Sequence, residues 1–509
     1  MQNPRIDPTM FGIAFGIVVF AAGPILISPH HAGELIVAAY DWIANTLGLV
    51  YQWGVYAMMG FLGWLAFGPH GHRKLGKPGD TPDFATHSWI AMLFCAGVGA
   101  ALIYWATIEW TYYIDTPPFG AKAGSPDAFS WATSYGIFHW GPVAWAIYAL
   151  PTVAIAWEYY SRGVPYLRLS TACHTLFGGR GEHTPPARML DSIFMLALLC
   201  GAGTSIGLSV PMISASLADA FGITRTLALD IGTVGCCVVL LALAAWAGLS
   251  KGIARVAEMN VSVALGLLVL VLIAGPTLFI LRTGTESIGF MLQNLIRMVT
   301  YTDPVARTGF VEDWTIFYWA WWIAYGPFVG LFVARVSRGR TLRELIVSMS
   351  VFGSLGSAAF FVVLGNYALW LDMNGVLPVR EILRTQDPAE AISAVIGTLP
   401  LGRIAQFIFG AMAIVFIAAT YNSKVYALAA CTTRTLPAGQ DPARWNRMFW
   451  AIGLGMLPIA LMSVEGGIKV AKSAVLVASL PLLVVSFLMC MNLRKSLRQV
   501  VAEESAASP

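Results

Sequence analysis

Charged side chains are scarce in this chain. Asp, Glu, Lys and Arg make up only 11% of its 509 residues, against 57% that are hydrophobic. At a mean hydropathy of +0.69 there is too little polar surface to clothe a soluble protein of this length. The net charge of +4 is too small, and too bound up with topology, to point to nucleic acid. The seven cysteines offer neither a disulfide framework nor a zinc spacing. Cys95, Cys200, Cys236, Cys237, Cys431 and Cys490 fall in apolar runs and Cys173 in a loop, and the adjacent Cys236 and Cys237 read as small apolar fillers. Also missing are a His/Glu set with metal-ligand spacing, a nucleophile paired with a base and a phosphate loop, so no enzyme, metal or cofactor is expected. Gly/Ser linkers and a soluble regulatory domain are absent too.

What the chain has instead is about twelve apolar runs, each near or above the roughly 20 residues that span a bilayer. They lie near 11-28, 47-67, 87-114, 130-160, 189-211, 226-249, 258-283, 310-335, 344-371, 402-431, 446-465 and 472-493. The first has no small-residue cleavage site after it and reads as a retained helix. With both termini in the cytoplasm, about 20 of the 31 basic residues fall inside, among them Arg73, Lys74, Lys77, Arg335, Arg338, Arg340 and Arg343. Two outer segments, 284-309 and 372-401, contain amphipathic stretches suited to the interface. The tail from Arg494 starts basic, ends in VAEESAASP, and reads as a short disordered end.

The most informative run is Trp314 to Arg335, WTIFYWAWWIAYGPFVGLFVAR. Trp314, Tyr318, Trp321, Tyr325 and Phe328 recur at steps of four and three, which lines them along one helical face. Around a cavity, such rings form a cage whose negative faces attract a poorly hydrated cation such as trimethylammonium. Gly326-Pro327 follows Tyr325 and is expected to bend the helix and free the carbonyl of Ile323, as a hinge, an ion ligand or a static kink. In the third run, Gly97 and Gly99 interrupt the apolar pattern, either for close helix packing or as an unwound segment that binds substrate or ion. Trp105, Glu109 and Tyr112 share a face beyond it. Glu109 reads as structural or gating, His139 as a hydrogen-bonded packing residue, and Glu158 as hydrated at the interface.

FHWGPVAWAIY (Phe138 to Tyr148), YTDP (Tyr301 to Pro304), FYWAWW (Phe317 to Trp322) and ARVSRGR (Ala334 to Arg340) resemble the betaine/carnitine/choline transporter (BCCT) family. TPPFG (Thr116 to Gly120) and IEWTYYI (Ile108 to Ile114) look most like its carnitine/γ-butyrobetaine exchangers, whereas GPFVGLF after Tyr325 looks like its sodium-coupled betaine carriers. The resemblance implies an all-α polytopic membrane protein of the bacterial inner membrane with 12 transmembrane helices. It would have LeuT-like inverted five-helix repeats after two N-terminal helices, assembled as a homotrimer. The divisions are 1-85 for the N-terminal pair and cytoplasmic loop, 86-283 and 310-493 for the repeats, 284-309 for an external segment and 494-509 for the tail.

The resemblance also implies a site. Its tryptophan box falls on Tyr112, Trp140, Trp321 and Trp322, with Trp314, Tyr318 and Tyr325 along the same pathway. Backbone N-H groups around Gly97, Gly99 and Ala101 would meet the carboxylate of a zwitterion, and Ala101 stands where betaine carriers have a third glycine. For coupling, Thr420 matches a hydroxyl that binds sodium together with carbonyls near Cys95 and Val98, and Phe328 is included in the ion region. Lys424, one turn after Thr420, would either supply sodium's charge or snorkel to the cytoplasmic interface. The exchangers' corresponding arginine falls on Asn260. A second sodium site needs two threonines where Leu198 and Ala202 stand, with Thr204 and Ser205 nearby. The expected partners are a quaternary-ammonium or sulfonium substrate and the bilayer. A sodium-coupled osmolyte symporter, and a sensor or channel, remain as rivals.

Overall fold

The computed structural model describes residues 5-97, 99-179, 184-247, 252-436, 440-462 and 467-507. Among them the chain is helical nearly throughout, with two isolated bridges and no strand. The helices are α1 (Pro8–Ile27), α2 (Pro29–Phe67), α3 (Thr86–Gly97), α4 (Ala100–Asp115), α5 (Pro126–Trp140), α6 (Pro142–Ala156), α7 (Pro185–Phe221), α8 (Leu227–Ala247) and α9 (Gly252–Ala274). They continue with α10 (Thr277–Val299), α11 (Phe317–Val336), α12 (Leu342–Phe360), α13 (Asn366–Met373), α14 (Val379–Thr385), α15 (Pro388–Gly397), α16 (Gly402–Cys431), α17 (Arg444–Met462) and α18 (Gly467–Ala507). Six of the helical stretches, or eight spans when each bent pair counts as one, are long and apolar enough to cross a membrane. The chain is therefore a nearly all-helical, multi-span protein, and the count of twelve rests on sequence hydropathy.

Local chemistry sets the helix ends. Ser125 accepts from the Ala128 N-H ahead of Pro126, and Thr341 and Glu344 form a reciprocal capping box. The WGP motif ends α5 at Trp140 and starts α6 at Pro142, where a missing N-H costs nothing. Gly275-Pro276 cannot continue a helix, and there the chain turns by 115° into α10. The seventh apolar run therefore stops at Ala274, short of the expected 283. In α10, Ile280, Gly284, Ser287 and Met291 are buried at steps of four and three, the one-sided pattern of a helix lying on the bundle. Pro327 lies inside a continuous α11.

α6 packs along α11, α7 along α16, and α18 against α2 and α7. At one end of the bundle, the loop after α2 pairs with the loop before α12: Leu75 N-H donates to Arg340 O at 2.8 Å and Leu342 N-H to Arg73 O at 3.0 Å. Two of the basic clusters that set the expected orientation thus share one end. The tail is helical to Ala507, correcting the expected disordered end, and its carboxylates meet that basic end. Arg73 bonds Glu504 through both nitrogens at 2.8 Å, and Arg162 bonds Glu503 at 2.9 and 3.3 Å.

Two motifs that carry the resemblance pack on each other. Phe119 of TPPFG lies 4.0 Å ring to ring from Tyr301 of YTDP, and its N-H donates to the Tyr301 hydroxyl at 3.0 Å. Glu158 corrects the expectation of hydration. It is fully buried in a π-helical turn at Trp157–Ser161, accepting from Thr175 Oγ1 at 2.9 Å and from Asn492 Nδ2 at 2.8 Å.

Candidate functional site

α3 and α4 meet at 65° across the glycine pair. Both glycines are dictated by close approach. A Cβ on Gly97 would lie 2.6 Å from the Trp145 ring, and one on Gly99 would lie 2.5 Å from Thr420 Oγ1. Gly97, Gly99, Ala100 and Ala101 form one wall of a central cavity whose other walls are Trp140, Trp321, Trp322, Tyr325, Ser205, Ser209, Ile417, Thr420 and Tyr421. Its volume is about 20 Å³, close to the space that holds a single water.

The periodic aromatic face of α11 exists as read. Rings 314 and 318, 318 and 321, 321 and 325, and 325 and 328 are all in contact, at centroid distances of 6.3, 6.0, 5.9 and 5.0 Å. Trp314 belongs to a π-helical turn, Val311–Ile316, that opens into α11. Trp321 and Trp322 stack 5.1 Å apart and 8° from parallel, and the Trp140 ring stands edge-on to both at 5.9 and 4.8 Å. Tyr112 is not part of this group. It faces Trp105 at 6.2 Å and Trp314 at 5.4 Å, one step further along the row of rings.

Glu109 organises the box. Fully buried, it accepts from Trp140 Nε1 at 3.1 Å and Tyr318 Oη at 2.6 Å, and it also bonds the Tyr113 hydroxyl. His139 completes the network through Tyr113 at 2.9 Å and Thr315 at 3.2 Å, while its carbonyl accepts from Trp322 Nε1 at 2.9 Å. Trp140, Tyr318 and Trp322 are thus held by polar atoms on their rims, while their faces pack against one another. Among the described residues Trp321 Nε1 is buried without a hydrogen-bond partner.

The ion-region residues divide into two places. Thr420 Oγ1 donates to Phe416 O at 3.0 Å and abuts Gly99 on the helix break, near the buried Cys95 of α3; Val98 lies outside the described residues. Lys424 does not snorkel. It is 1% exposed, and its ammonium donates to Tyr325 Oη at 3.2 Å over the rings of Tyr421 (4.4 Å), Tyr325 (4.7 Å) and Phe328 (5.6 Å). The Tyr325 hydroxyl in turn bonds Gly201 O at 2.5 Å and Ser205 Oγ. The ammonium therefore faces the α7 side, next to the positions expected for the second sodium site, rather than Thr420. Leu198 there is buried; the side chains of Ala202 and Thr204 lie outside the described residues. Asn260 is buried on α9, its Nδ2 without a hydrogen-bond partner among the described residues, Lys424 included.

A sequence profile described as BCCT, betaine/carnitine/choline family transporter, matches residues 9–502, nearly the whole chain. The chain belongs to the BCCT family. It is accordingly a multi-pass membrane protein and a secondary transporter of the betaine/carnitine/choline type, taking a small-molecule substrate, in a family of transporters rather than enzymes. Among solved structures it is similar to a Na+-coupled sialic acid symporter in a substrate-bound outward-open state, at 12% identity and a TM-score of 0.41. That match covers 87% of this chain and 80% of the other.

One residue of this BCCT chain escaped sequence reading. Lys472, at the start of the last apolar run, has no role assigned from the sequence. It lines a second, larger cavity of about 480 Å³ with Tyr104, Trp105, Tyr112, Trp314 and Asp313. A charge at the border of a hydropathy run gives no local sign of what it faces. Among the described residues one metal-type group also forms that sequence spacing did not suggest. His30, His31 and Glu34 bring ligand atoms within 4.8 Å of one another on the first turns of α2. All three are exposed, and the positive end of a helix disfavours a cation there, so no site is assigned.

Proposed function

We propose that this transporter carries quaternary-ammonium zwitterions of the carnitine, γ-butyrobetaine or glycine betaine type by alternating access, as a sodium-independent exchanger or uptake carrier. A LeuT-like arrangement of inverted repeats, a homotrimer and a bacterial inner membrane with cytoplasmic termini belong to the same reading. The observation that carries it is the convergence of Trp140, Trp321 and Trp322 on one cavity beside the glycine break. Ring faces there suit a desolvated onium, at about 0.5–2 kcal/mol each. Backbone amides near Gly99 and Ala101, with the unpartnered indole N-H of Trp321, suit its carboxylate. A central space of about 20 Å³ is too small for a trimethylammonium group, so helices must separate to admit one, which supports a carrier over a passive channel.

Lys424 supports sodium independence, because when protonated it brings a positive charge to the α7 side of the site. A second reading, a sodium-coupled betaine or choline symporter, is favoured by Thr420, whose hydroxyl sits against the helix break at Gly99. Counterflow of labelled glycine betaine and carnitine into proteoliposomes, with and without sodium, separates the two. The cage reading expects Trp321→Leu to abolish saturable counterflow while the protein stays folded. Retained affinity in that variant would argue against the cage.

A further inference from the structure

Lys472 has no part in the roles above. Its Nζ lies 4.1 Å from the ring centroid of Phe317, 5.2 Å from that of Trp314 and 5.3 Å from that of Trp105. Among the described residues no hydrogen bond or close ion pair holds Nζ; ring faces are its nearest neighbours, and the carboxylates of Asp313 and Glu109 act on it from further away. The rings it covers belong to the row that leads inward: Trp105 touches Tyr318 at 6.4 Å, and Tyr318 touches Trp321 and Trp322. A row of touching rings thus runs from the larger cavity, which we read as a vestibule, to the central box, and a lysine of the protein occupies its cation-binding faces.

A primary ammonium is compact and strongly hydrated, whereas a trimethylammonium group hydrates poorly and suits ring faces better. An entering onium displaces Nζ from the rings, and the tether keeps the displaced charge within the same cavity. There it repels the onium and attracts any carboxylate the ligand carries. Asp41 and Asp313 line the vestibule as well; their field draws in a plain onium more strongly than a zwitterion, and the lysine opposes that preference. We propose that Lys472 determines specificity, making the vestibule select zwitterionic oniums over onium cations that lack a carboxylate. The proposal rests on the transport reading above.

The test uses full-length protein in nanodiscs, with glycine betaine and choline titrated against intrinsic tryptophan fluorescence. Wild type should bind glycine betaine more tightly than choline. The ratio of the two Kd values should fall at least tenfold in Lys472→Met and Lys472→Gln and persist in Lys472→Arg. An unchanged ratio in the neutral variants overturns the proposal, as does an equal fall in the arginine variant. Should both neutral variants fail to fold, wild type still decides, because choline binding as tightly as glycine betaine excludes the filter. If wild type binds neither compound, and carnitine and γ-butyrobetaine titrated in the same way do not bind either, the transport reading itself fails.

Discussion

The Lys424 side-chain nitrogen lies 3.2 Å from the Tyr325 hydroxyl, so a buried lysine is joined to the same tyrosine that walls the central cavity. That hydroxyl also bonds the Gly201 carbonyl and Ser205 of α7. Movement of α11 against α7 must therefore break or carry this contact, and the lysine's charge is linked to whether the site is assembled.

The first prediction concerns that charge. Lys424→Ala should lower sodium-free counterflow at least about tenfold, equivalent to about 1.4 kcal/mol, and adding sodium should restore part of it. The measurement is initial counterflow rate in proteoliposomes with sodium or with choline-free potassium buffer. Wild-type rates in Lys424→Ala without sodium would show that the ammonium plays no part in coupling.

Gly99 and Thr420 should behave as a coupled pair. An added methyl at 99 meets Thr420 Oγ1 at 2.5 Å and Cβ at 3.3 Å, so Gly99→Ala must push α3–α4 away from α16 or distort the break. Removing the hydroxyl relieves the closer contact. Gly99→Ala should therefore impair binding severely, and Gly99→Ala with Thr420→Ala should recover part of it, a non-additivity of about 0.5–3 kcal/mol for residues in contact. Strict additivity across the four proteins in the double-mutant cycle would rule out the steric account.

Glu109 is expected to matter through geometry. Its carboxylate accepts from Trp140, Tyr318 and Tyr113, and glutamine would present N-H groups to donors already aimed at it. Bonds to a charged group contribute about 1.5–3 kcal/mol, so Glu109→Gln should lower the thermal midpoint and weaken onium binding together. Thermal unfolding and tryptophan-fluorescence titration on one sample check both. A variant with unchanged affinity would mean that the box keeps its shape without the carboxylate.

How much of this was legible beforehand depends on the range of the interactions. The aromatic face of α11 and the break at Gly97 and Gly99 follow from local period and composition, and they stand in the structure, as do six to eight of the apolar spans. Residues whose surroundings come from distant segments were not legible. Glu158 looked hydrated because its partner Asn492 arrives from α18, over three hundred positions away. Lys424 was read against Thr420, one turn back, yet its head group points to Tyr325 on α11. Tyr112 shares a face with Trp105 and Glu109 in sequence, but the π-helical turn at Val311–Ile316 places Trp314 between it and the box. Hydropathy overran Gly275-Pro276 because a window average does not register two helix-breaking residues.

The YTDP motif yields the last prediction, on pH. Asp303 adopts φ 44°, a left-handed conformation. Its Oδ2 accepts from the Thr308 N-H at 2.7 Å and from the Thr308 hydroxyl at 2.6 Å, closing the turn that leads into Trp314. Burial pushes its carboxyl up, but the bonds from Thr308, Tyr301 and Arg307 outweigh it and hold the group below the usual carboxylate range. The sign follows directly: because the folded value is depressed, the unfolded chain binds this proton more readily. The stabilisation is complete above the unfolded value of about 3.9 and is lost as pH falls through the folded value. Asp303→Asn keeps the shape of the side chain without its charge. The gap in thermal midpoint between wild type and Asp303→Asn should therefore be constant from about pH 7 to about pH 5 and should shrink in more acid solution, below the unfolded value. A gap that stays constant throughout would show that the turn is held by shape alone.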